Sequence, residues 1–461
     1  MNAVDQAVGL PAPRPGAFDP SAAAAAATEA ILRDTLGGEH RGVVVDSPPG
    51  AGKSTLVVRA ARELARAGRP LMVVAQTNAQ VDDLVLRLAE ADGALPVGRL
   101  HSSDPQPYDP ALDALDQVVT STKADGLTGL DVVVSTAAKW AHTRVDAPWG
   151  HAIVDEAYQM RSDALLAVAG LFERALFVGD PGQLDPFSVV GPDGAAQWAG
   201  LSYDPSVSAV STLLAHNPGL PQHRLPVSWR LPASAARLVS DAFYPYTRFR
   251  SGTGPGDRQL AFGVRPDGSA VDRVLDEAAE SGWGLLELPE RLTPRTDPEA
   301  VAAVALVVRR MLDRGGAVTS ERSPGEPVPL TAARIAVGTA HRDQAAAVRA
   351  ALAGQGVLGV TVDTANRLQG REFDVTVVLH PLSGRPDATA FHLETGRLCV
   401  LASRHRHACV VVCRAGVDRL LDEHPSTEPV RLGVAVKFPD GWEANHAVLA
   451  HLAEHRVVWR G

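Results

Sequence analysis

The stretch GVVVDSPPGAGKST, residues 42–55, decides the fold class of this chain. Its first five residues form a short apolar run of the kind that is buried in a parallel sheet. A turn rich in glycine and proline follows, and then comes the helical pattern STLVVRAARELARAG, which begins at Ser54. The sequence therefore predicts a strand, a tight turn and a helix in immediate succession, which is the beginning of an α/β domain.

The turn between this strand and this helix is a candidate phosphate-binding site. Backbone N–H groups of such a turn point inward at the positive end of the helix dipole. Lys53 would reach the β- and γ-phosphates, and the hydroxyl of Ser54 would hold Mg²⁺. The pattern is complete except that Ser47 stands where its first glycine is expected. The residues predicted to surround the phosphates are Pro49, Gly50, Ala51, Gly52, Lys53, Ser54 and Thr55. The alternative, a chance Gly-Lys-Ser in a loop, is disfavoured by the strand and helix on either side.

The run AIVDEAYQ, residues 152–159, supplies an acidic partner for this site. An apolar strand that ends at Asp155 and Glu156 places a carboxylate beside the phosphate turn, where it can hold Mg²⁺ through water. The next carboxylate can act as the general base on the attacking water. We therefore predict that Asp155 binds the metal and that Glu156 is the base, rather than two solvated acids at the end of a strand.

The composition is that of an ordinary globular protein, with 45% apolar and 21% charged residues in 461 positions. Three cysteines cannot make a disulfide framework, and neither a signal peptide nor a membrane span is visible in the sequence, so we expect a cytoplasmic protein. A net charge of −9 argues against a nucleic-acid coat protein but leaves room for a motor with a local basic groove. Basic residues that are nearly all arginine, with only four lysines, suggest a bacterial genome of high GC content.

Strand and helix patterns alternate along the chain in two series, which predicts two α/β domains. We expect a flexible N-terminus at 1–20, a first domain at 21–215, a second domain at 216–425 with an insertion around 250–330, and a C-terminal extension of unknown role at 426–461. Two local expectations go with this division. Ser21 would cap the first helix, and the segment TSERSPGEPVPLT, residues 319–331, would be a loop.

Further motifs follow the acidic pair in a fixed order. They are LFVGDPGQLDP (176–186), SWRLP (228–232), VGTAHRDQ (337–344), VDTANRLQGREFDVTVV (362–378) and GRLCVLASRHR (396–406). These segments resemble conserved motifs of superfamily 1 helicases, from motif III to motif VI, and the resemblance runs from about residue 28 to residue 415. It is nearest to the branch of the nonsense-mediated-decay helicase and RecD-like enzymes, whose members generally move 5′→3′.

This resemblance implies two RecA-like domains with parallel sheets and a nucleotide cleft between them. Gln183 would sense the γ-phosphate and link it to domain closure. Arg230 and Arg404 would neutralise charge on the transferring phosphoryl group, unless they are ordinary surface arginines. Gly370 and Glu372 would contact the nucleotide, which is ATP or another NTP with Mg²⁺.

The nucleotide base is not specified by the sequence. The family has a glutamine upstream of the phosphate turn that reads adenine. Here Thr28 or Glu29 stands near that position, and no glutamine lies between Val8 and Gln76. A preference for ATP over other NTPs therefore stays open.

The resemblance also implies a single nucleic-acid strand lying across both domains. Candidate contacts to its backbone are Thr77, Asn78, Thr136, Thr339 and Thr364. Lys139 and Trp140 are a possible phosphate and stacking pair, although Trp140 and Trp229 are more typical of packing residues. For each hydroxyl the alternative is a helix cap or a turn hydrogen bond.

The leading interpretation is an NTP-driven motor that translocates on, remodels or unwinds single-stranded DNA or RNA, with a monomer favoured. A second is a regulatory NTPase that acts on a protein partner with little unwinding. A third, a P-loop small-molecule kinase, predicts one domain and neither of the last two motifs, 362–378 and 396–406.

The segment SRHRHACVVVC, residues 403–413, resembles a metal site at first sight, with Cys399 just upstream. The spacing of its cysteines lacks the close pair that zinc sites use. An apolar strand with buried thiols is the favoured interpretation, in which Arg404 carries the chemistry and Arg406 supports it.

Overall fold

The computed structural model describes residues 18–184, 207–293, 296–425 and 439–459. Most of the predicted flexible N-terminus, the last two residues of the segment 176–186 and much of the predicted C-terminal extension lie outside these residues. In the described residues the predicted α/β class is confirmed, because two parallel sheets are each covered by helices.

The first sheet consists, within the described residues, of eight parallel strands. In chain order they are β1 Gly42–Asp46, β2 Leu71–Ala75, β3 Val97–Leu100, β4 Val118–Ser121, β5 Val132–Thr136, β6 Trp149–Asp155, β7 Phe172–Gly179 and β8 Gln222–Arg224. Their order across the sheet is β4-β3-β5-β2-β6-β7-β1-β8. This order places β1 and β6 on either side of β7, so the phosphate turn and the acidic pair emerge at the same carboxyl edge.

The second sheet has six parallel strands in the described part of the chain, in the order β16-β15-β17-β18-β12-β19. They are β12 Trp283–Leu288, β15 Ile335–Thr339, β16 Thr361–Thr364, β17 Phe373–Leu379, β18 His405–Arg414 and β19 Arg456–Val458. Two small sheets complete the strands: β9 Val227–Ser228 with β10 Arg250–Ser251, and β11 Gln259–Phe262 with β13 Gly316–Ser320 and β14 Ser323–Pro329.

Helices cover both faces of each sheet. They are α1 Pro20–Gly37, α2 Lys53–Arg66, α3 Asn78–Ala91, α4 Ala137–Ala141, α5 Ser162–Val168, α6 Ala209–His216, α7 Ala233–Phe243, α8 Ala270–Ser281, α9 Pro298–Asp313, α10 Arg342–Gly354, α11 Ala365–Leu368, α12 Ala390–Leu393, α13 Thr395–Ala402, α14 Val417–Glu423 and α15 Gly441–Ala453. Short 3₁₀ turns occupy Pro110–Ala114, Ala124–Leu127, Ala157–Gln159, Ala169–Leu171 and Ala332–Arg334. None of the helices in the described residues is both long and apolar enough to cross a membrane.

Alternating side chains of β1 show why the strands are apolar throughout. Val43 and Val45 pack against α1, α2 and α3 on one face, whereas Val44 packs against α4, α5 and α6 on the other. Because both faces of each sheet are buried, a continuous apolar run is the pattern that fits, rather than alternation with polar residues.

The first helix begins earlier than predicted. Asp19, not Ser21, is its N-cap, since its carboxylate accepts a hydrogen bond from the N–H of Ala22 at 3.0 Å. Pro20 then occupies the first helical position, where its fixed φ and missing N–H cost nothing. The helix ends at Gly37, and Gly38 follows in the left-handed region at φ 73°.

The prediction that residues 319–331 form a loop is wrong, because most of them lie in strands. Ser323–Pro329 forms β14, the edge of the three-stranded antiparallel sheet, and it pairs with β13. Prolines are tolerated at such an edge because its outer N–H groups need no partner in the sheet. The proline-rich composition was therefore a signal of an edge strand.

The predicted domain boundaries stay a proposal. The strand order assigns three strands, β8, β12 and β19, differently from that proposal. β8 pairs with β1, so the first sheet continues past residue 215. β12 lies inside the predicted insertion, yet it pairs with β18 in the second sheet. β19, in the predicted C-terminal extension, pairs with β12 and so completes that sheet. Among the described strands of residues 250–330, β10 and the three strands of the small antiparallel sheet stand outside the two main sheets.

Candidate active site

The glycine-rich turn forms one wall of a cleft of about 920 Å³. Gly50 and Gly52 have φ of 71° and 92°, which is the left-handed region that side chains rarely adopt. Gly52 is the N-cap of α2, and Lys53 is its first residue. All seven residues predicted to surround the phosphates line this cleft: Pro49, Gly50, Ala51, Gly52, Lys53, Ser54 and Thr55. The local sequence thus forms the strand–turn–helix arrangement that an anion needs.

Lys53 is paired with both residues of the predicted acidic pair. Its Nζ lies 3.0 Å from Oδ1 of Asp155 and also contacts the carboxylate of Glu156. Burial alone would lower the pKa of Lys53, but the two carboxylate charges and their hydrogen bonds raise it above its ordinary value. Lys53 is therefore a fixed positive charge at the bottom of the cleft.

Glu156 has an unusual backbone conformation. Its φ of 52° makes it one of two non-glycine residues with positive φ in the described part of the chain. Such a conformation costs of order 1–3 kcal/mol and persists only where the surroundings impose it. Glu156 directly follows β6, is buried, and lines the cleft. Backbone strain at a buried carboxylate is consistent with a catalytic role for this residue.

Ser54 and Asp155 offer a hydroxyl and a carboxylate to the same cleft. Oxygen donors of this kind, few in number and next to phosphate groups, are the set that Mg²⁺ prefers. The residues present therefore fit a nucleotide-bound Mg²⁺ at this position.

Arg230 is fixed directly on the phosphate turn. A Cβ on Gly50 would lie 2.2 Å from the Cβ of Arg230, and the hydroxyl of Ser228 donates to the carbonyl of Pro49 at 2.6 Å. Only glycine at position 50 permits this approach. The guanidinium of Arg230 in turn donates from Nε to Glu372 at 3.2 Å.

Glu372, predicted to contact the nucleotide, lies between two arginines. It accepts hydrogen bonds from Arg230 at 3.2 Å and from Arg406 at 3.1 Å. Burial opposes ionisation here, but the two guanidinium groups lower the pKa of Glu372. Glu372 and Gly370 line the cleft, so they lie where the prediction needs them. The ion pair with Arg230 is a contact that the sequence did not indicate.

Arg404 lines the cleft but is almost completely buried. Its guanidinium donates to the carbonyl of Val400 at 3.1 Å and to the hydroxyl of Ser403 at 2.7 Å. Burial, and next the charge of Arg230, lower the pKa of Arg404 to about 10. The alternative of an ordinary surface arginine does not hold for this side chain.

Gln183 connects the two walls of the cleft. Its Oε1 accepts a hydrogen bond at 2.6 Å from Nε2 of Gln369, and its Nε2 donates to Asp180. Gly396 packs so closely beneath it that a Cβ there would lie 2.6 Å from the Gln183 carbonyl oxygen. Gln183 therefore touches the fourth and fifth of the later motifs, 362–378 and 396–406, at once.

Asp180 accepts the hydrogen bond that orients the side chain of Gln183. Its Oδ1 accepts hydrogen bonds from the hydroxyl of Tyr244 at 2.6 Å and from the N–H of Gly182 at 2.8 Å. Burial raises the pKa of Asp180 to about 6, and these hydrogen bonds only partly oppose that rise. The carboxylate that orients Gln183 thus titrates in a range that solution experiments can reach.

Residues that sequence reasoning missed also line the cleft. They include Arg87 on α3, Arg322 between β13 and β14, and Gln369 after α11. Arg322 comes from the small antiparallel sheet, more than 260 residues after the phosphate turn. No local pattern marks it, because its position depends on how the two main sheets are arranged.

A smaller cavity of about 230 Å³ continues from the phosphate turn towards α1. It is lined by Thr28, Thr55, Arg59, Trp229 and several apolar residues. The hydroxyl of Thr28 already donates to the carbonyl of Ala24 at 2.9 Å. Thr28 thus lies near the expected base position, as predicted from spacing, but its donor is used within the helix. Among the described residues that line this cavity there is no glutamine whose amide could read adenine.

The five candidate nucleic-acid contacts lie at or near the carboxyl edges of the two sheets. Thr136 ends β5 opposite the end of β2, and Thr339 pairs with Thr364 at the ends of β15 and β16. Thr77 and Asn78 follow β2 directly. The five predicted positions therefore share the carboxyl edges of the two sheets.

Most of these side chains also have structural roles. Thr77 caps α3 and Thr136 caps α4. The amide oxygen of Asn78 accepts from Arg99 at 3.1 Å, and Thr339 is fully buried and donates to the carbonyl of His341. For Thr77 and Thr136 in particular, the helix-cap alternative describes the contact that is seen. Their contact with nucleic acid stays a prediction.

The two tryptophans, Trp140 and Trp229, differ in burial. Trp140 is fully buried and donates from its indole to the carbonyl of Val73 at 3.0 Å, so it is a packing residue. Its neighbour Lys139 donates to the carbonyl of Thr122 at 2.9 Å. Trp229 is partly exposed and lines both the nucleotide cleft and the smaller cavity. Trp229 is therefore available to a nucleotide, which the sequence did not suggest.

The histidines of the segment 403–413 have partners other than a metal. His405 lies edge-on against Trp283, and His407 pairs with Asp374 at 3.1 Å. Burial raises the pKa of the Cys399 and Cys409 thiols to about 12. In the described ranges, the group whose ligand atoms lie close enough for a metal is His451, Glu454 and His455, outside this segment.

Comparison with known protein families gives two matches along the chain. A model described as an AAA domain matches residues 24–197, and a second model with the same description matches residues 293–416. The first covers the phosphate turn and the acidic pair, and the second covers most of the second sheet. The two matches therefore fall on the two sheets that border the cleft.

Curated relatives include the "DNA-binding protein SMUBP-2" of Mesocricetus auratus and of Rattus norvegicus, each 23% identical to this chain. Each alignment covers 80% of this chain but 41% of the relative. The chain thus spans less than half the length of these relatives.

Solved structures that match this chain include an arterivirus nonstructural protein 10 helicase in complex with DNA. That structure is 14% identical, with a TM-score of 0.42 over 83% of this chain and 62% of the other. Another is the helicase MrfA bound to DNA, 10% identical, with a TM-score of 0.43 over 90% of this chain and 54% of the other.

Proposed function

We propose that this chain is a superfamily 1 helicase, an NTP-hydrolysing motor acting on single-stranded nucleic acid, and its motifs, its two matched domains and its relatives support this proposal. One observation carries the proposal. The cleft is lined by a phosphate turn and an acidic pair from the first sheet and by arginines that belong to the second. A P-loop kinase with one domain would have only the first wall.

In this mechanism the first wall holds the nucleotide. Backbone N–H groups of the turn and Lys53 bind the phosphates, and Ser54 and Asp155 would hold Mg²⁺, which supplies charge neutralisation on the β- and γ-phosphates. Lys53 must then exchange at least part of its contact with Asp155 for phosphate oxygens. The ion pair of 3.0 Å keeps both side chains in place for that exchange.

Glu156 takes a proton from the attacking water. Its carboxylate is buried, held by Lys53, and fixed by a backbone conformation with few alternatives. A base that is positioned in this way accelerates hydrolysis without moving. The water's oxygen attacks the γ-phosphorus, and the bond to the leaving diphosphate breaks.

The second wall supplies positive charge to the γ-phosphate. Arg230, which follows β9 and packs on the phosphate turn, and Arg404, in the link between α13 and β18, both line the cleft. Gln183 would contact the γ-phosphate, and it is hydrogen bonded to Gln369 across the cleft. A change at the γ-phosphate would therefore alter the contact between Gln183 and Gln369. Loss of the γ-phosphate would weaken these contacts and let the two sheets move relative to each other.

The nucleic acid would lie along the carboxyl edges that carry Thr77, Asn78, Thr136, Thr339 and Thr364. Movement 5′→3′, a bacterial cytoplasmic setting and action as a monomer belong to the same proposal. They rest on the motif resemblance and on composition. Whether the strand is DNA or RNA is a question for the assay.

The decisive experiment is an NTPase assay of the whole chain with a panel of single-stranded DNA and RNA. ATP and GTP are compared, and Glu156→Gln serves as the background control. We expect hydrolysis to rise many-fold with at least one kind of strand. Release of a blocking protein from one strand end only, the 3′ end, would support the proposed direction.

A second candidate is a regulatory NTPase acting on a protein partner. The engagement of Thr77, Thr136 and Thr339 in contacts within the protein favours it. It predicts hydrolysis that no DNA or RNA strand alters. That result would exclude the motor and leave this alternative.

A further inference from the structure

A second large cavity lies at the other edge of the first sheet, where the strands begin. It has a volume of about 620 Å³ and is lined by residues before or at the start of β1, β2, β6 and β7. The phosphate turn and Asp155 lie at the carboxyl ends of β1 and β6. The cavity is therefore separated from the nucleotide cleft by the length of the sheet.

Three basic side chains meet in this cavity. His151 in β6 is paired in register with Arg174 in β7 on one side and with Leu71 in β2 on the other. Arg69 lies two residues before Leu71. Because neighbouring strands lie about 4.8 Å apart, this register brings the imidazole and both guanidinium groups into one place.

His151 is the unusual member of this group. Its side chain is 8% exposed, and neither ring nitrogen has a hydrogen-bond partner within the described residues. Nε of Arg174 is likewise buried without a hydrogen bond. Buried polar atoms are nearly always paired, and leaving one unpaired costs about 1–3 kcal/mol.

The charges in the cavity are all of one sign. Within the part of the chain that the structure describes, no acidic side chain lines it. Glu173 lies 3.7 Å from Arg174 but is largely exposed outside the cavity. Burial, followed by the charges of Arg69 and Arg174, lowers the pKa of His151. An anion in the cavity would give these groups the acceptors that they lack.

We propose that this cavity is a binding site for a phosphate group carried by a small phosphorylated compound. A phosphate has several acceptor oxygens, which suits a convergence of two guanidinium groups and an imidazole better than a carboxylate with two. One nitrogen of Arg69 donates to the carbonyl of Leu36 at 2.6 Å, which fixes the side chain and leaves its other nitrogens for the ligand.

The other walls fit the remainder of such a compound. Trp149, Pro70 and Pro148 provide apolar surface next to the basic group. A ring or chain attached to the phosphate can pack there. This proposal does not depend on the proposed motor function, because the two sites share no residue.

The test uses the whole chain with inorganic pyrophosphate as the probe, measured by calorimetry. Lys53→Ala is the background, so that the phosphate turn does not contribute. We expect pyrophosphate to bind in this background, and Arg69→Gln or Arg174→Gln to weaken binding about tenfold each, the effect of one charge-assisted hydrogen bond. Arg41→Gln is the matched control, since this exposed arginine lies at the same sheet edge but outside the cavity.

A second readout guards against a variant that does not fold. Arg174→Lys keeps the charge and should keep part of the affinity, and the imidazole resonances of His151 should shift on pyrophosphate addition in the background protein. Absence of pyrophosphate binding at millimolar concentration would overturn the proposal. So would binding that Arg69→Gln and Arg174→Gln leave unchanged while both variants melt like the background protein.

Discussion

The two walls of the nucleotide cleft are built in different ways. In the first wall, Lys53, Asp155 and Glu156 follow directly after strands β1 and β6, and they pair with one another. In the second wall, Arg230 and Arg404 come from separate parts of the chain and have different environments. Both are buried, but Arg230 pairs with the partly exposed Glu372, whereas Arg404 donates to Val400 and Ser403 of its own domain. The first wall is set by local sequence and the second by tertiary packing.

This difference suggests that the two walls have different roles in catalysis. Groups that hold phosphate and activate water need fixed positions, and a strand end followed by a tight turn provides them. Groups that report on the γ-phosphate need contacts that cross the cleft, as Gln183 after β7 has with Gln369 after α11. Variants of the first wall should therefore reduce chemistry most strongly, whereas variants of the second should affect chemistry and stability in different proportions.

The largest effect is expected from Lys53→Ala. Removing the ammonium group takes away a phosphate contact and leaves Asp155 and Glu156 adjacent without their common partner. We expect hydrolysis to fall by at least ~10³-fold, and nucleotide binding, measured by fluorescence of a labelled nucleotide, to be lost. Arg66→Ala, at the exposed end of the same helix, is the control and should keep both properties.

Glu156→Gln should separate binding from chemistry. The amide keeps the size of the side chain but cannot take a proton, so we expect hydrolysis to fall by about 10²–10⁴-fold while nucleotide binding persists. Single-turnover measurements with pre-bound nucleotide distinguish the two steps. Normal turnover by this variant would place the base elsewhere in the cleft.

The first wall is also the part that the sequence predicts well. The strand GVVVD is observed as Gly42–Asp46, and every residue predicted at the phosphate turn lines the cleft. Short-range patterns suffice here, because turn geometry and strand ends are local properties.

The second wall could be predicted only as a set of motifs. Nothing local shows that Glu372 joins Arg230 to Arg406, or that Arg322 reaches the cleft from an edge hairpin. β12 was missed as a strand because its run WGLLEL lies among loop signals, and its place in the sheet depends on β18 and β19. Contacts of this kind depend on how distant segments pack, which a pattern in one sequence does not contain.

Arg404→Ala and Arg230→Ala test the contrast within the second wall. Arg404 is buried with hydrogen bonds to its own domain, so its removal should lower the free energy of unfolding by about 2–4 kcal/mol as well as reduce kcat. Arg230 is buried as well, but its partner Glu372 is partly exposed and would keep its ion pair with Arg406, so removal of Arg230 should cost only about 1 kcal/mol in stability while kcat still falls about 10- to 100-fold. Chemical denaturation and steady-state hydrolysis are the two measurements. Equal losses of stability in the two variants would contradict the contrast drawn here.

The smallest effect concerns the contact between the walls and appears as a dependence on pH. Burial raises the pKa of Asp180 from its usual value of 3.8 to about 6, and its carboxylate orients Gln183. Protonation below pH 6 should loosen Gln183, so we expect hydrolysis at pH 5 to be about tenfold lower than at pH 7, and this acid limb to disappear in Asp180→Asn.

Stability should move in the opposite direction. Because the folded pKa of Asp180 lies above its unfolded value, the folded state binds the proton more tightly between pH 6 and about pH 4. The contribution of this group to the free energy of unfolding therefore increases as the pH falls through that window. Denaturation of the wild type and of Asp180→Asn at several pH values isolates this contribution. If both activity and stability of the wild type relative to Asp180→Asn decline together below pH 6, Asp180 does not connect the two walls in the way that its hydrogen bonds indicate.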